Sequence, residues 1–292
     1  MEILTRFILV GTPVAEPDST PTPPEPPDAT ALAPALASGA EPPPASPSDD
    51  GPQVPDRRPG RMSKLEALGE MALCSSVPTQ FVIGLALRLS GWSPVDAKGQ
   101  LTLGFVAALS LLDTVALLGL MVLFMRSRGE QPSRLWLGTR SVTGEIVRGV
   151  LHVPAVFIIL AVLLLGMRTL TPQLHNVDVN PFEVLAGNGV VDAALLTLVA
   201  IVAGGVREEL QRAFLLDRFE RNLGPAWLGV VLLSVAFGLG HLLQGRDAAV
   251  ATGAMGAFWA VVYLKRRSSV APLVSHALFN ALEVIAIVAR GR

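Results

Sequence analysis

Two adjacent glutamates, Glu208 and Glu209, lie at the end of a long apolar segment. A charge in a helix buried in hydrocarbon costs about 2.5–3.5 kcal/mol even on the lenient insertion scale, so such residues usually face a bundle interior and mark a site. Arg212 follows them at the i+4 and i+3 positions, and both spacings bring side chains together on a helix. The glutamates are therefore candidates for chemistry. A purely structural ion pair between Glu208 and Arg212 is the alternative.

Two later apolar segments each carry a histidine. The first contains Phe237 and His241, and the second contains His276 and Asn280, both at i, i+4 spacing. Neutral imidazoles bind divalent metals such as zinc, a carboxylate can ligate the metal or activate water, and a carboxamide can stabilise an oxyanion. The set fits hydrolysis of a peptide bond. Neither HExxH nor GxSxG occurs, so the site must be assembled from separate helices.

The composition is that of a polytopic membrane protein. Of the 292 residues, 51% are hydrophobic and 16% are charged, and the mean hydropathy is +0.51. This is too apolar for an ordinary soluble domain of this size. We predict an all-α helix bundle in the lipid bilayer with no nucleic-acid partner. The single cysteine, Cys74, excludes an intrachain disulfide and a cysteine-based metal cluster.

Residues 1–62 differ in composition from the rest of the chain. They contain 15 of the 23 prolines, and between Gly11 and Asp56 there are eight acidic residues and no lysine or arginine. Such a segment cannot bury a hydrophobic core. We predict a disordered, partly polyproline-II acidic tail over residues 1–62, followed by a transmembrane helical domain over residues 63–292.

Apolar segments of suitable length predict about seven transmembrane helices. The first is the weakest, because Glu66, Glu70 and Pro78 interrupt it, and the fourth continues as a helix to about residue 220. If all seven span, the clusters of lysine and arginine in the loops fall on one side, which the positive-inside rule makes cytoplasmic. We therefore expect a multi-pass protein of the plasma (inner) membrane with a cytoplasmic N-terminus. The predicted helices are 65–90, 101–125, 149–168, 186–206, 226–243, 248–264 and 269–289.

This topology allows a comparison of depths. At ~1.5 Å per helical residue, Glu208 lies roughly 15 Å from Arg218, and His276 lies roughly 13–14 Å past Arg267. His241 lies roughly 22 Å from the start of its helix, so helix tilt or a late start must absorb the difference. We predict that the chemical residues of the three segments converge around one intramembrane cavity that opens toward the cytoplasm.

In this order along the chain, the three motifs resemble those of the CPBP family of intramembrane proteases. That family includes the type II CAAX prenyl endopeptidases and bacterial proteins linked to bacteriocin processing and self-immunity. The resemblance covers roughly residues 140–289. It implies a metal-dependent endopeptidase, with zinc as the expected metal, that cleaves a membrane-associated or lipidated, CAAX-like peptide or protein. The residues implied are Glu208, Glu209, His241, His276 and Asn280 as catalytic, Arg212 and Phe237 as supporting, and His241, His276 and Glu208 as metal ligands.

The first motif departs from the family pattern EExxxR, because its arginine comes one residue early. If the glutamates keep their positions, Glu208 faces the histidines and Arg212 pairs with Glu209. If the arginine keeps its position, Arg207 replaces the first glutamate and Glu208 pairs with Arg212. We take Glu208 as the catalytic member. The departure also leaves open a catalytically inactive membrane protein of the same family that acts in immunity or as a scaffold.

Other polar and small residues in the apolar segments are given structural roles. Glu283 extends the face of His276 and Asn280 by one turn and is interpreted as a supporting or structural group. Four intramembrane or segment-end residues are assigned no part in the site: Asp113, Asp192, His152 and His175. Four glycines are expected to allow close approach of helices: Gly204, Gly205, Gly238 and Gly240.

Overall fold

The computed structural model describes residues 62–187 and 189–290, which form a bundle of helices. Almost all of the proposed tail, residues 1–61, lies outside the described residues. The all-α fold is confirmed, and over the described part of the chain there is no β-strand. The α-helices are α1 (Lys64–Leu73), α2 (Val77–Leu89), α3 (Leu103–Ser127), α4 (Pro132–Trp136), α5 (Val142–Leu170), α6 (Pro181–Gly187), α7 (Val190–Val199), α8 (Glu208–Asn222), α9 (Ala226–Leu239), α10 (Arg246–Arg266) and α11 (Val270–Arg290).

Six helical stretches within the described residues are long and apolar enough to cross a membrane. They are α3, α5, α10, α11, the pair α1 and α2, and the run Val190–Asn222, which contains α7 and α8. The protein is therefore an integral, multi-pass membrane protein. The remaining predicted span, 226–243, is the short apolar helix α9. Its 14 residues extend about 21 Å, less than the ~30 Å hydrocarbon core.

The first span is broken where the sequence predicted a weak helix. Ser76, between α1 and α2, has a left-handed backbone with φ 69°. Pro78 lies in the first turn of α2, where a missing backbone N–H leaves no hydrogen bond unmade. Glu70 is 5% exposed and lies on the buried side of α1. The interruptions in the sequence therefore produce two short helices rather than one straight span.

The helix that carries the glutamates changes its geometry just before them. Residues Ala200–Arg207, between α7 and α8, form a π-helix. A π-helix has i to i+5 hydrogen bonds, is rare, and usually occurs as a single-turn bulge near a functional site. The sequence predicted one continuous helix here, and the chain is helical throughout Val190–Asn222. The π-helix was not predicted, and it changes the direction of every side chain that follows.

Small residues let two pairs of helices approach closely. A Cβ built on Gly205 would lie 2.6 Å from Cβ of Ala277 on α11, and one on Gly238 would lie 2.6 Å from the carbonyl oxygen of Ala249 on α10. Neither position has room for a side chain. The prediction for Gly240 is wrong, because the atoms nearest to its position belong to its own helix.

A buried network of charges joins α1, the α3–α4 loop and α8. Arg218, at 1% exposure, donates to Oε2 of Glu70 and to Oε2 of Glu130, each at 2.7 Å. These arginines therefore connect the ends of α1, α3 and α8. The network consists of Glu70, Arg128, Glu130, Asp217, Arg218 and Arg221.

Candidate active site in the membrane bundle

Glu209 and His276 form the centre of the candidate site. Nδ1 of His276 donates to Oε1 of Glu209 at 2.8 Å, and Glu209 is 2% exposed. Because a carboxylate oxygen accepts, Nδ1 carries the proton and the lone pair of Nε2 is free. Oε2 of Glu209 accepts from Nε of Arg212 at 3.2 Å. Both oxygens of Glu209 are therefore engaged, and Glu209 fixes the orientation and tautomer of His276.

Trp259, on α10, fixes the plane of the His276 ring. The two rings are stacked, with centroids 3.8 Å apart and planes 16° apart. Trp259 is 0% exposed, and its Nε1 donates to Oγ of Ser275 at 3.3 Å. Sequence reasoning missed Trp259. The sequence gives no signal that separates Trp259 from the other aromatic residues of α10, Phe258 and Tyr263.

Glu208 lies near the free nitrogen of His276. Its Oε2 is 3.9 Å from Nε2 of His276, while its Oε1 accepts from Nη2 of Arg207 at 3.1 Å. The side chain of Glu208 is 15% exposed, against 1% for Glu209. A distance of 3.9 Å is too long for a direct hydrogen bond, but it allows one water molecule to bond to both groups. The two glutamates thus have different surroundings.

Arg212 pairs with Glu209 at i, i+3. Its guanidinium carbon also lies 4.4 Å from the ring centroid of Phe237. This is the arrangement expected if the glutamates keep the family's positions, with Glu208 facing a histidine. Among the described contacts of Arg212, an ion pair with Glu208 does not occur.

Phe237 lies between the two histidines. Its ring centroid is 4.7 Å from that of His241 and 6.2 Å from that of His276. His241 follows the end of α9, and its Nδ1 donates to the carbonyl oxygen of Phe237 at 2.8 Å. A carbonyl oxygen only accepts, so Nε2 of His241 also has a free lone pair. His241 therefore joins the site through Phe237.

The depth of His241 agrees better with the other motifs than the sequence suggested. Gly229 packs on Phe219, since a Cβ at Gly229 would lie 2.9 Å from Cδ1 of Phe219. This contact places Gly229 at about the level of Phe219. Counted from Gly229, His241 lies roughly 18 Å deep at 1.5 Å per residue. This shorter count removes about half of the difference from the ~13–15 Å of the other two motifs.

Asn280 lies one turn after His276, against the π-helix. Its Nδ2 donates to the carbonyl oxygen of Ala200 at 3.0 Å, and a Cβ built on Gly204 would lie 2.5 Å from that nitrogen. The absence of a side chain at Gly204 therefore makes room for the side chain of Asn280 on α11. A carboxamide nitrogen carries two hydrogens. Asn280 can bond to the π-helix and still donate to another oxygen.

A metal site is not preassembled from the predicted ligands. In the described ranges, no group of three or more His, Cys, Asp or Glu side chains is placed to hold a metal ion. Catalytic zinc usually takes three protein ligands and one water. The arrangement of His241, His276 and Glu208 does not meet this requirement. Zinc binding stays a prediction.

Sequence reasoning also missed the ion pair between Arg207, which contacts Glu208, and Asp113. Nη1 of Arg207 donates to Oδ2 of Asp113 at 2.7 Å, and Asp113, on α3, is 0% exposed. From the sequence alone, Asp113 is assigned no part in the site. The signal was the presence of two opposite charges in apolar segments, since a buried charge in a membrane protein pairs with another. His175 forms a separate pair with Asp247, at 2.8 Å.

Residues 190–282 match the family model described as type II CAAX prenyl endopeptidase Rce1-like. We call this matched segment the Rce1-like domain. The matched range contains all three motifs and all seven expected site residues, whereas α1 to α6 lie outside it. The resemblance to the CPBP family is thereby confirmed over this segment. Searches of curated proteins and of solved structures each found no match.

Proposed function

We propose that the protein is an intramembrane endopeptidase that cleaves a membrane-associated or lipidated, CAAX-like substrate. The observation that supports this is the spacing of Glu208 and His276, whose Oε2 and Nε2 atoms are 3.9 Å apart. Both atoms are acceptors, so one water molecule can donate a hydrogen to each of them. The lone pairs of that water then remain free to attack a peptide carbonyl carbon.

Glu208 is the general base in this proposal. It takes a proton from the water as the water oxygen attacks the carbonyl carbon, and it later returns the proton to the leaving amine. His276 holds the water from the other side, and the Glu209 carboxylate keeps its Nε2 available. Nδ2 of Asn280 donates its second hydrogen to the oxyanion that forms on the carbonyl oxygen.

His241 and the expected metal are a separate part of the proposal. A divalent metal such as zinc would polarise the carbonyl group and acidify a bound water. His241 and His276 each have a free Nε2 for such an ion. Elemental analysis of the purified protein checks this directly: about one zinc per chain supports the proposed cofactor, and a metal-free, active protein rejects it.

The proposed orientation rests on the loop charges alone. Arg126 at the end of α3 and Arg148 near the start of α5 lie on the side that we assign to the cytoplasm, and the Arg266–Glu145 ion pair brings the end of α10 to the same side. Substrate would then reach the site from the cytoplasmic side of the plasma (inner) membrane. A reporter domain fused to the N-terminus, tested for accessibility in intact cells, checks this orientation.

The activity is tested on the full chain reconstituted in lipid vesicles. The substrate is a membrane-anchored peptide that ends in a prenylated CAAX sequence, and mass spectrometry identifies the new C-terminus. We expect cleavage by the wild-type protein and none by Glu208→Gln. Glu220→Gln is the matched control, because Glu220 lies on the same helix in a partly exposed ion pair with Arg267, and it should cleave normally. A wild-type protein that cleaves neither prenylated nor unmodified peptides would indicate the inactive family member instead.

A further inference from the structure

Arg207 is held in place by several partners. It precedes Glu208 directly, and adjacent residues on a helix do not face each other. Its guanidinium nevertheless donates to Oε1 of Glu208 at 3.1 Å. Nη1 donates to Asp113 and, at 2.8 Å, to Oγ of Ser76, and Nε donates to the carbonyl oxygen of Ala203 at 3.2 Å. These bonds fix the plane from which Arg207 reaches Glu208.

Asp113 is itself fixed from the opposite side. Oδ1 of Asp113 accepts from Oγ1 of Thr79, and Oδ2 accepts from Nε2 of Gln80 at 3.2 Å. Both donors lie on α2, so α2 and α3 together hold the carboxylate that holds Arg207. Since Asp113 is completely buried, its charge requires the nearby arginine. Asp113 and Glu208 share this one cation.

The break between α1 and α2 takes part in the same arrangement. Ser76, in its left-handed conformation, accepts from Arg207 and also from Nε2 of Gln211 at 3.1 Å. Gln211 donates further to the carbonyl oxygen of Cys74 at 2.7 Å. The break therefore contacts residues on both sides of Glu208 in the sequence, Arg207 of the π-helix and Gln211 of α8. A straight helix in place of α1 and α2 would present Ser76 differently.

We propose that Arg207, held by Asp113 and Ser76, is the positioning residue for Glu208. By engaging Oε1, Arg207 leaves Oε2 of Glu208 to face Nε2 of His276, where the proposed water lies. This inference rests on the proposed function. It also means that α2 and α3, which lie outside the family-matched residues, complete the site of the Rce1-like domain.

The test compares two neutralised ion pairs. Arg207→Gln alone would leave Asp113 as an unpaired buried charge, so it is combined with Asp113→Asn, which leaves two uncharged amides. The matched control is Glu145→Gln with Arg266→Gln, another pair with a buried carboxylate, which joins α5 and α10. We expect the first double variant to lower kcat on the order of 100-fold with KM unchanged, because small misplacements of a catalytic group have effects of this size. The control should keep the wild-type kcat.

A second measurement does not depend on activity. Glu208→Gln is introduced into the wild-type protein and into the Arg207→Gln, Asp113→Asn variant, and the Tm is measured for each. We expect Glu208→Gln to lower the Tm in the first background and not in the second, because its partner is already removed there. Equal shifts in both backgrounds, or a wild-type kcat in the double variant, would overturn the proposal. Unequal Tm shifts in a protein that cleaves no peptide would reject the proposed function and leave the positioning contact established.

Discussion

Glu208 and Glu209 are neighbours in the sequence, yet only one of them has an oxygen available for chemistry. Glu209 uses both oxygens, one for His276 and one for Arg212. Glu208 uses Oε1 for Arg207 and, within the described residues, has no hydrogen bond to Oε2. A general base must have a free oxygen within reach of the water that it activates. The geometry therefore assigns different tasks to the two glutamates in the proposed reaction.

This difference predicts a difference in stability. Glu209→Gln leaves Arg212 without its carboxylate, and removal of one partner from a buried ion pair costs about 3–5 kcal/mol. Glu208→Gln costs less, because Arg207 keeps Asp113 as its partner. Thermal unfolding in detergent should therefore show a clearly lower Tm for Glu209→Gln than for Glu208→Gln. A Tm that falls more in Glu208→Gln would contradict these roles.

The motif residues could be predicted from the sequence because an intramembrane charge or histidine is costly and therefore conspicuous. The contacts among these residues were harder to predict from the sequence. The pairing of Arg212 remained undecided, since i+3 and i+4 spacings are equally compatible with a helix. Trp259 was missed because an aromatic residue in an apolar helix is indistinguishable from ordinary core. The Arg207–Asp113 pair joins residues that are distant in sequence, so helix spacing gives no indication of it.

At the scale of helices, length and apolarity predicted most of the bundle, and local geometry accounts for the remaining differences. The division of the first span follows from Pro78 and from the left-handed Ser76. The shortness of α9 was not predicted, because Leu242 and Leu243 continue the apolar segment past Leu239. No residue type is specific to a π-helix, so the sequence contains no signal that predicts it.

The contact between the π-helix and α11 leads to a prediction for Gly205→Ala. The new Cβ would lie 2.6 Å from Cβ of Ala277, so α11 must move and carry His276 and Asn280 away from the glutamates. Overpacking of this kind costs about 1–3 kcal/mol. We expect a lower Tm and loss of cleavage.

Gly166→Ala is the matched control for that variant. Gly166 lies in α5, and nothing is within 4 Å of a Cβ built there. Alanine favours a helix over glycine by about 1 kcal/mol, so the control should have an unchanged or higher Tm and normal cleavage. Equal behaviour of the two variants would show that the close approach at Gly205 does not matter.

At the scale of the molecule, the Rce1-like domain depends on helices that precede it in the chain. Arg218 on α8 is neutralised by Glu70 of α1, and Arg207 is neutralised by Asp113 of α3. Both arginines lie within the family-matched residues, whereas both carboxylates lie outside them. The matched segment is thus a recognisable unit of sequence without being electrostatically complete. The Glu209–Arg212 pair is internal to the segment, whereas Arg207 and Arg218 each pair with a buried carboxylate outside it.

This dependence predicts that two N-terminal deletions differ in their effect on the stability of the membrane domain. Removal of residues 1–60 should leave the Tm of the membrane domain unchanged, because a proline-rich acidic segment contributes no hydrophobic core. Removal of residues 1–100 also deletes α1 and α2, and with them Glu70, Ser76 and the donors that hold Asp113. The buried Arg218 would then keep only the partners of the α3–α4 loop and of α8, which should cost several kcal/mol. We expect the longer deletion to unfold or aggregate in detergent while the shorter one elutes and melts like the full chain. A longer deletion with the wild-type Tm would show that the Rce1-like domain does not need the first two helices.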